Sequence, residues 1–159
     1  KSGTIETLIT LPAEPIEIIL GKYLASLAVV AAMLFPTLVY LLLIAPSGAI
    51  DPGPVVGGYL GAFLLGAAYA AVGLFASSAS SNQIVAFVVA LGICLFLTFV
   101  DRFLIFLPPV LLKGFEYISS GYHFDTIARG ILDSRSLIYF ISVSLIFLTG
   151  AVRGVEAGS

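Results

Sequence analysis

Three stretches of this chain carry no charged residue at all: Lys22 to Asp51, Asp51 to Asp101, and Arg135 to Arg153. A helix needs about 20 apolar residues to cross the hydrocarbon of a bilayer, and these runs supply that length or close to it. No other feature limits the fold so sharply. Only 10% of the 159 residues are charged and 60% are hydrophobic, whereas soluble domains carry roughly 25% charged residues. The reading is an all-α membrane protein with about four transmembrane helices. A net charge of −2 leaves no basic surface for nucleic acid. The single cysteine, Cys94, lies inside an apolar run and has no partner for an internal disulfide. Tyr23, Tyr40, Tyr59, Tyr117, Tyr122 and Tyr139 fall mostly near the expected span ends, where an amphipathic ring prefers to sit.

Along the chain, Ser2 to Pro12 reads as a short amphipathic helix. Thr4 caps it, Glu6 falls in its first turn, Ile5, Leu8 and Ile9 share one face, and Pro12 closes it. Pro15 suits the first turn of the next helix, with Glu14 and Glu17 near its positive end. That helix runs to about Ile44 with its membrane portion at 23–44, and Pro36 kinks it by removing a backbone hydrogen bond. Residues 45–54 (APSGAIDPGP) form a polar turn. Further spans are expected at 55–77, 83–106 and 136–152, with Ser81 or Asn82 capping the third. Residues 108–135 differ, because Pro108-Pro109 interrupts an apolar stretch too short to cross and charges then alternate with apolar residues. That segment reads as interfacial or re-entrant. With no internal repeat, residues 1–159 form one domain. The chain starts at Lys1 without Met, and we expect an N-terminal portion to be missing.

Few residues suggest chemistry. Gly58, Ala62, Gly66 and Ala70 follow one another at intervals of four, a spacing that lets helix backbones approach closely. Helix packing within or between subunits is the first reading, and a substrate path lined by bare backbone the second. Asp101-Arg102 falls near the far interface and reads as an anchor or a pair. His123 and Asp125 lack the further ligands a zinc site needs, and Asp125 and Arg129 stand four apart as a surface ion pair would. No nucleophile triad, no H-E-x-x-H and no G-x-x-x-x-G-K-[ST] phosphate loop is present. No cofactor or metal is expected, and ATP hydrolysis is left to another subunit.

The opening K-S-G-T-I-E-T-L-I-T-L-P, followed by I-I-L-G-K at 18–22, resembles the cytoplasmic segment of ABC-2-type permeases. Gly3, Thr4, Glu6, Leu8, Pro12, Gly21 and Lys22 match that pattern. Gly121 to Phe124, Gly130, Asp133-Ser134-Arg135, Tyr139-Phe140, Gly73 to Ser78 and Asn82-Gln83 are similar to the gliding-motility-associated branch and to relatives near copper-enzyme maturation systems. The resemblance covers essentially the whole chain. It implies a permease, an exporter for preference, with the two spans that usually precede this segment absent. It also implies that residues 4–12 are a coupling helix, with Thr4, Ile5, Glu6, Leu8, Ile9, Leu11 and Pro12 contacting a cytosolic ATPase subunit. A second permease subunit, identical or not, would complete the pathway in the cell (inner) membrane. A non-transporting membrane anchor that docks an ATPase for mechanical or assembly work is the alternative. Both ends would then face the cytosol, with Lys1, Lys22 and Arg153 inside and Arg102, Lys113, Arg129 and Arg135 outside. Counting basic residues does not choose that orientation, so it rests on the resemblance alone.

Overall fold

The computed structural model describes residues 14–48, 50–103, 114 and 117–158. Residues 4–12, the expected coupling helix, lie outside the described residues, as do 104–113. Every regular element among the described residues is helical. In chain order they are α1 (Pro15–Leu34), a 3-10 turn (Phe35–Thr37), α2 (Leu38–Ile44), a second 3-10 turn (Ala45–Ser47), α3 (Pro52–Ser78), α4 (Gln83–Phe103), α5 (Ser120–Ala128) and α6 (Ser134–Gly158). Four segments are long and apolar enough to cross a membrane: Pro15–Ile44, Pro52–Ser78, Gln83–Val100 and Ser134–Glu156. At nine residues, α5 is about 14 Å long and too short to cross.

The helix boundaries follow from local chemistry. Pro15 opens α1 behind an extended Glu14, as its missing N–H and fixed φ allow. Pro36 does not end the helix but converts one turn to 3-10 geometry. Asp51 caps α3 by accepting from Gly53 N at 3.1 Å, so the helix starts at Pro52 rather than at Val55. Pro52 and Pro54 fit because first-turn N–H groups have no intrahelical partner in any case. Asn82, one of the two expected caps, accepts from Ile84 N at 2.9 Å and starts α4. Asp133 accepts from Arg135 N at 3.0 Å, which sets the start of α6 two residues before the expected Ser136. At its far end α6 continues beyond the expected Val152, because Gly154 lies against Ser78 of α3 and no proline intervenes.

Helix α3 is the centre of the bundle, in contact with α1, α4, α5 and most extensively α6. Its buried residues are small: Gly57, Gly61, Ala67, Ala68, Ala71, Val72 and Ala76. Lipid tails are as apolar as leucine, so close backbone packing and not apolar burial drives helix association here. The same logic leaves Met33, Leu42, Leu43, Ile84 and Phe87 exposed on the outer faces of α1, α2 and α4, and Phe35 exposed in the turn between the first two. Helix α6 offers its own notches to α3. A Cβ built on Gly150 would lie 2.8 Å from the Phe75 ring, and one on Gly154 would lie 2.6 Å from Ser78 Oγ.

Candidate functional site

Short helix α5 is wedged between α3, α4 and α6, beside the start of α3. Ser119 caps it by accepting from Tyr122 N at 3.3 Å. Gly130 closes it with φ +81°, a left-handed geometry that costs glycine little. The wedge fits because three backbone approaches are unobstructed. A Cβ on Gly57 would collide with the Ile127 carbonyl oxygen, and one on Gly121 would lie 2.7 Å from the Thr98 carbonyl oxygen. One on Gly130 would lie 2.8 Å from the Gly53 carbonyl carbon.

Two polar clusters fix the wedge. In the first, Tyr69 OH of α3 meets Thr98 Oγ1 of α4 and, at 2.9 Å, Ser120 Oγ of α5. Thr98 Oγ1 itself donates to the Cys94 carbonyl at 2.7 Å. In the second, His123 Nε2 donates to the Tyr117 carbonyl at 3.1 Å. Its Nδ1 is therefore the acceptor for the Ser136 hydroxyl at 3.0 Å. The imidazole stacks on Tyr139 with centroids 4.2 Å apart. Burial pushes the His123 pKa below its usual value, and the Tyr117 carbonyl and Asp133 oppose that shift without cancelling it. A His–Ser hydrogen bond can activate a nucleophile, but His123 and Ser136 are only 3% and 2% exposed. Buried to that degree, the pair holds α5 on α6.

The expected small-residue row divides. Gly66 faces α1, where a Cβ would lie 2.8 Å from Val30 Cγ1. Gly58 has no neighbouring atom within 4 Å of a built Cβ, and with Ala62 it lines a groove of about 400 Å³ between α1–α2 and α3. Ala70 is half-buried. The tightest approach on α3 is at Gly57, in a parallel row one position earlier, whose next member Gly61 would set a Cβ 3.3 Å from Ile127 Cγ2 and Phe124 Cδ2. The groove is otherwise mostly apolar (Leu34, Leu41, Ile44, Val55 and neighbours), with Tyr40 in its lining and Tyr59 OH donating to Thr37 Oγ1 at 2.9 Å, since the Thr37 proton goes to the Leu34 carbonyl.

Asp125 and Arg129 form no ion pair. Arg129 caps the end of α5, and its backbone N–H still donates to the Asp125 carbonyl at 3.2 Å. Asp101 and Arg102 belong to the last turn of α4. Among the described residues no group of three His, Cys, Asp or Glu side chains could hold a metal ion.

Neither a curated protein nor a solved structure matches the chain. The model of the ABC-2 family transporter proteins matches residues 1–132, a stretch that includes α1 to α5 and the 4–12 segment. The chain therefore belongs to the ABC-2 family of transporter proteins, as a membrane-spanning permease subunit.

Proposed function

We propose that this permease subunit works as an exporter, driven by ATP hydrolysis in a separate cytosolic subunit. The observation that carries the reading is the family match over residues 1–132, which takes in Thr4, Ile5, Glu6, Leu8, Ile9, Leu11 and Pro12. In this reading those residues form the ATPase contact, and both ends of the chain face the cytosol. A second permease subunit completes the pathway. The sequence joins 4–12 to α1 through only Ala13 and Glu14, and α1 then continues unbroken for 20 residues to Leu34. A helix of that length transmits displacement as a rigid body, and the Pro36 turn is where it can bend. The groove between α1–α2 and α3, mostly apolar with the hydroxyls of Thr37, Tyr40 and Tyr59 in its lining, suits amphipathic cargo better than an ion.

Vesicles holding the full-length protein with its co-purified ATPase test this. ATP supplied on the ATPase side should drive uptake of at least one member of a panel of amphipathic solutes, and Leu8→Glu should abolish uptake while releasing the ATPase. ATP turnover with no solute movement across the panel would reject the exporter in favour of the ATPase-docking anchor.

A further inference from the structure

At the end of the bundle away from α5, a pocket of about 360 Å³ opens between α1, α3 and α6. Ile19 and Lys22, Leu74, Ser77 and Ser78, and Gly154 line it. Lys22 is the one charged residue of that lining. Its ammonium makes no hydrogen bond or ion pair with any described residue, and only its backbone carbonyl is engaged, by Ser26 Oγ at 2.9 Å. Glu156, the acidic group on the neighbouring stretch of α6, lines a separate groove with Arg153, Ile16 and Leu20. The Ser78 hydroxyl is committed to the Phe75 carbonyl at 2.8 Å. The Ser77 hydroxyl is exposed, with no protein partner among the described residues. Ile19, 3% exposed, and Leu74 give the pocket an apolar floor.

Depth in the membrane narrows what such a pocket meets. The charge-free run of the first span begins directly after Lys22, which sets this ammonium at the boundary between hydrocarbon and headgroups. A lysine binds phosphate as a point charge. The carbonyl end of α3 opposes an anion with about half a unit charge, less than the full charge Lys22 supplies. We propose that this pocket is a binding site for a phosphate-bearing anion, with Lys22 as its charge partner and the Ser77 hydroxyl as a donor. That chemistry has two sources, the headgroup of an anionic phospholipid and free phosphate. The site does not depend on which face of the membrane it occupies.

The full-length protein would be reconstituted in phosphatidylcholine with and without phosphatidylglycerol, extracted, and weighed intact by native mass spectrometry. Lys22→Gln should retain about fivefold less phosphatidylglycerol, the factor expected for one basic residue at an anionic surface. Lys22→Arg should retain the wild-type amount, Ser77→Ala about half of it, and phosphatidylcholine should not change in any variant. Competition by inorganic phosphate would assign the free ion as the ligand, and its failure to compete would assign the lipid headgroup. Wild-type retention in Lys22→Gln, or an equal loss of phosphatidylcholine, overturns the proposal. Should Lys22→Gln fail to fold, undiminished retention in Ser77→Ala overturns it equally.

Discussion

Gly57→Ala is the smallest change that the packing of α5 should not tolerate. The added methyl would overlap the Ile127 carbonyl oxygen and lie 3.1 Å from both Cα and N of Gly130. All of these are backbone atoms, so no side-chain rotation can relieve the clash. Helix α5 must retreat by about an ångström, and overpacking of that kind costs about 1–3 kcal/mol. The retreat also stretches the Tyr69–Ser120 hydrogen bond, worth about another 1 kcal/mol. A total of about 2–4 kcal/mol shifts the ratio of docked to undocked α5 by roughly 30- to 1,000-fold. Gly58→Ala is the control one residue along, where no atom lies within 4 Å of the new methyl. Alanine is favoured over glycine in a helix by about 0.5–1 kcal/mol, so this variant should match or exceed the wild type. Thermal melting in detergent, followed by reaction of a fluorogenic maleimide with Cys94, reads both. The half-buried thiol lies on α4, whose Thr98 binds the same Tyr69 that holds α5. Gly57→Ala should melt several degrees below wild type. Equal melting of the two variants would refute the backbone-clash argument.

Gly66→Leu should separate α1 from α3 at Val30 and lower assembly yield in detergent, whereas Leu42→Ala, on the exposed face of α2, should leave yield unchanged. His123 is held neutral by burial, so its contribution to stability is fully present above the unfolded pKa of about 6.5 and is lost as pH falls through the lower folded value. Melting temperature should therefore decline on the acid side in the wild type, and the decline should be shallower in His123→Gln; parallel curves would remove His123 as the cause. Cysteines introduced at Ser47 and Ser134 should label with an impermeant maleimide from one side of the membrane and at Ser81 from the other; labelling of Ser47 and Ser134 from opposite sides would break the four-span layout. A reporter active only in the cytosol, fused after Ser159 of the full-length protein, should be active while one at Gly48 is silent. The reverse result would invert the proposed orientation and remove the case for the proposed ATPase contact at residues 4–12.

The spans were legible because hydropathy and caps act locally. Asn82 lies beside the helix it caps, and Pro36 announces its own 3-10 turn. The face of α3 was not legible for a related reason. From Gly57 to Gly73 almost every position is small or apolar, so periodicity fits several rows equally well, and only α5 singles out Gly57, by the Ile127 carbonyl, and Gly61, by the Ile127 and Phe124 side chains. Gly150 and Gly154 stand at the same four-residue spacing in α6 and could have been found by the rule applied to α3. The His123–Ser136 and Tyr69–Ser120 bonds join residues 13 and 51 positions apart, beyond the reach of any local pattern. The false Asp125–Arg129 pair has the opposite origin. Spacing puts the two residues on one helix face, where an exposed pair gains too little to hold two side chains in a single geometry.

The loose seating of the first span makes the groove beside it a variable rather than a fixed feature. Ile19 is the sole fully buried side chain of α1, and α2 has none. Beyond the notch where Val30 meets Gly66, the segment to Ile44 extends about 21 Å with its outer face in lipid. Treated as an arm pivoting at that notch, a tilt of about 10° sweeps its tip through about 4 Å, on the helical rise alone. Tyr59 and Thr37 then act as a tether close to the fulcrum, where the same tilt moves atoms by only about 2 Å. Small rotations near Gly66 are thereby amplified at the mouth of the groove, so its capacity reports the angle of the first helix.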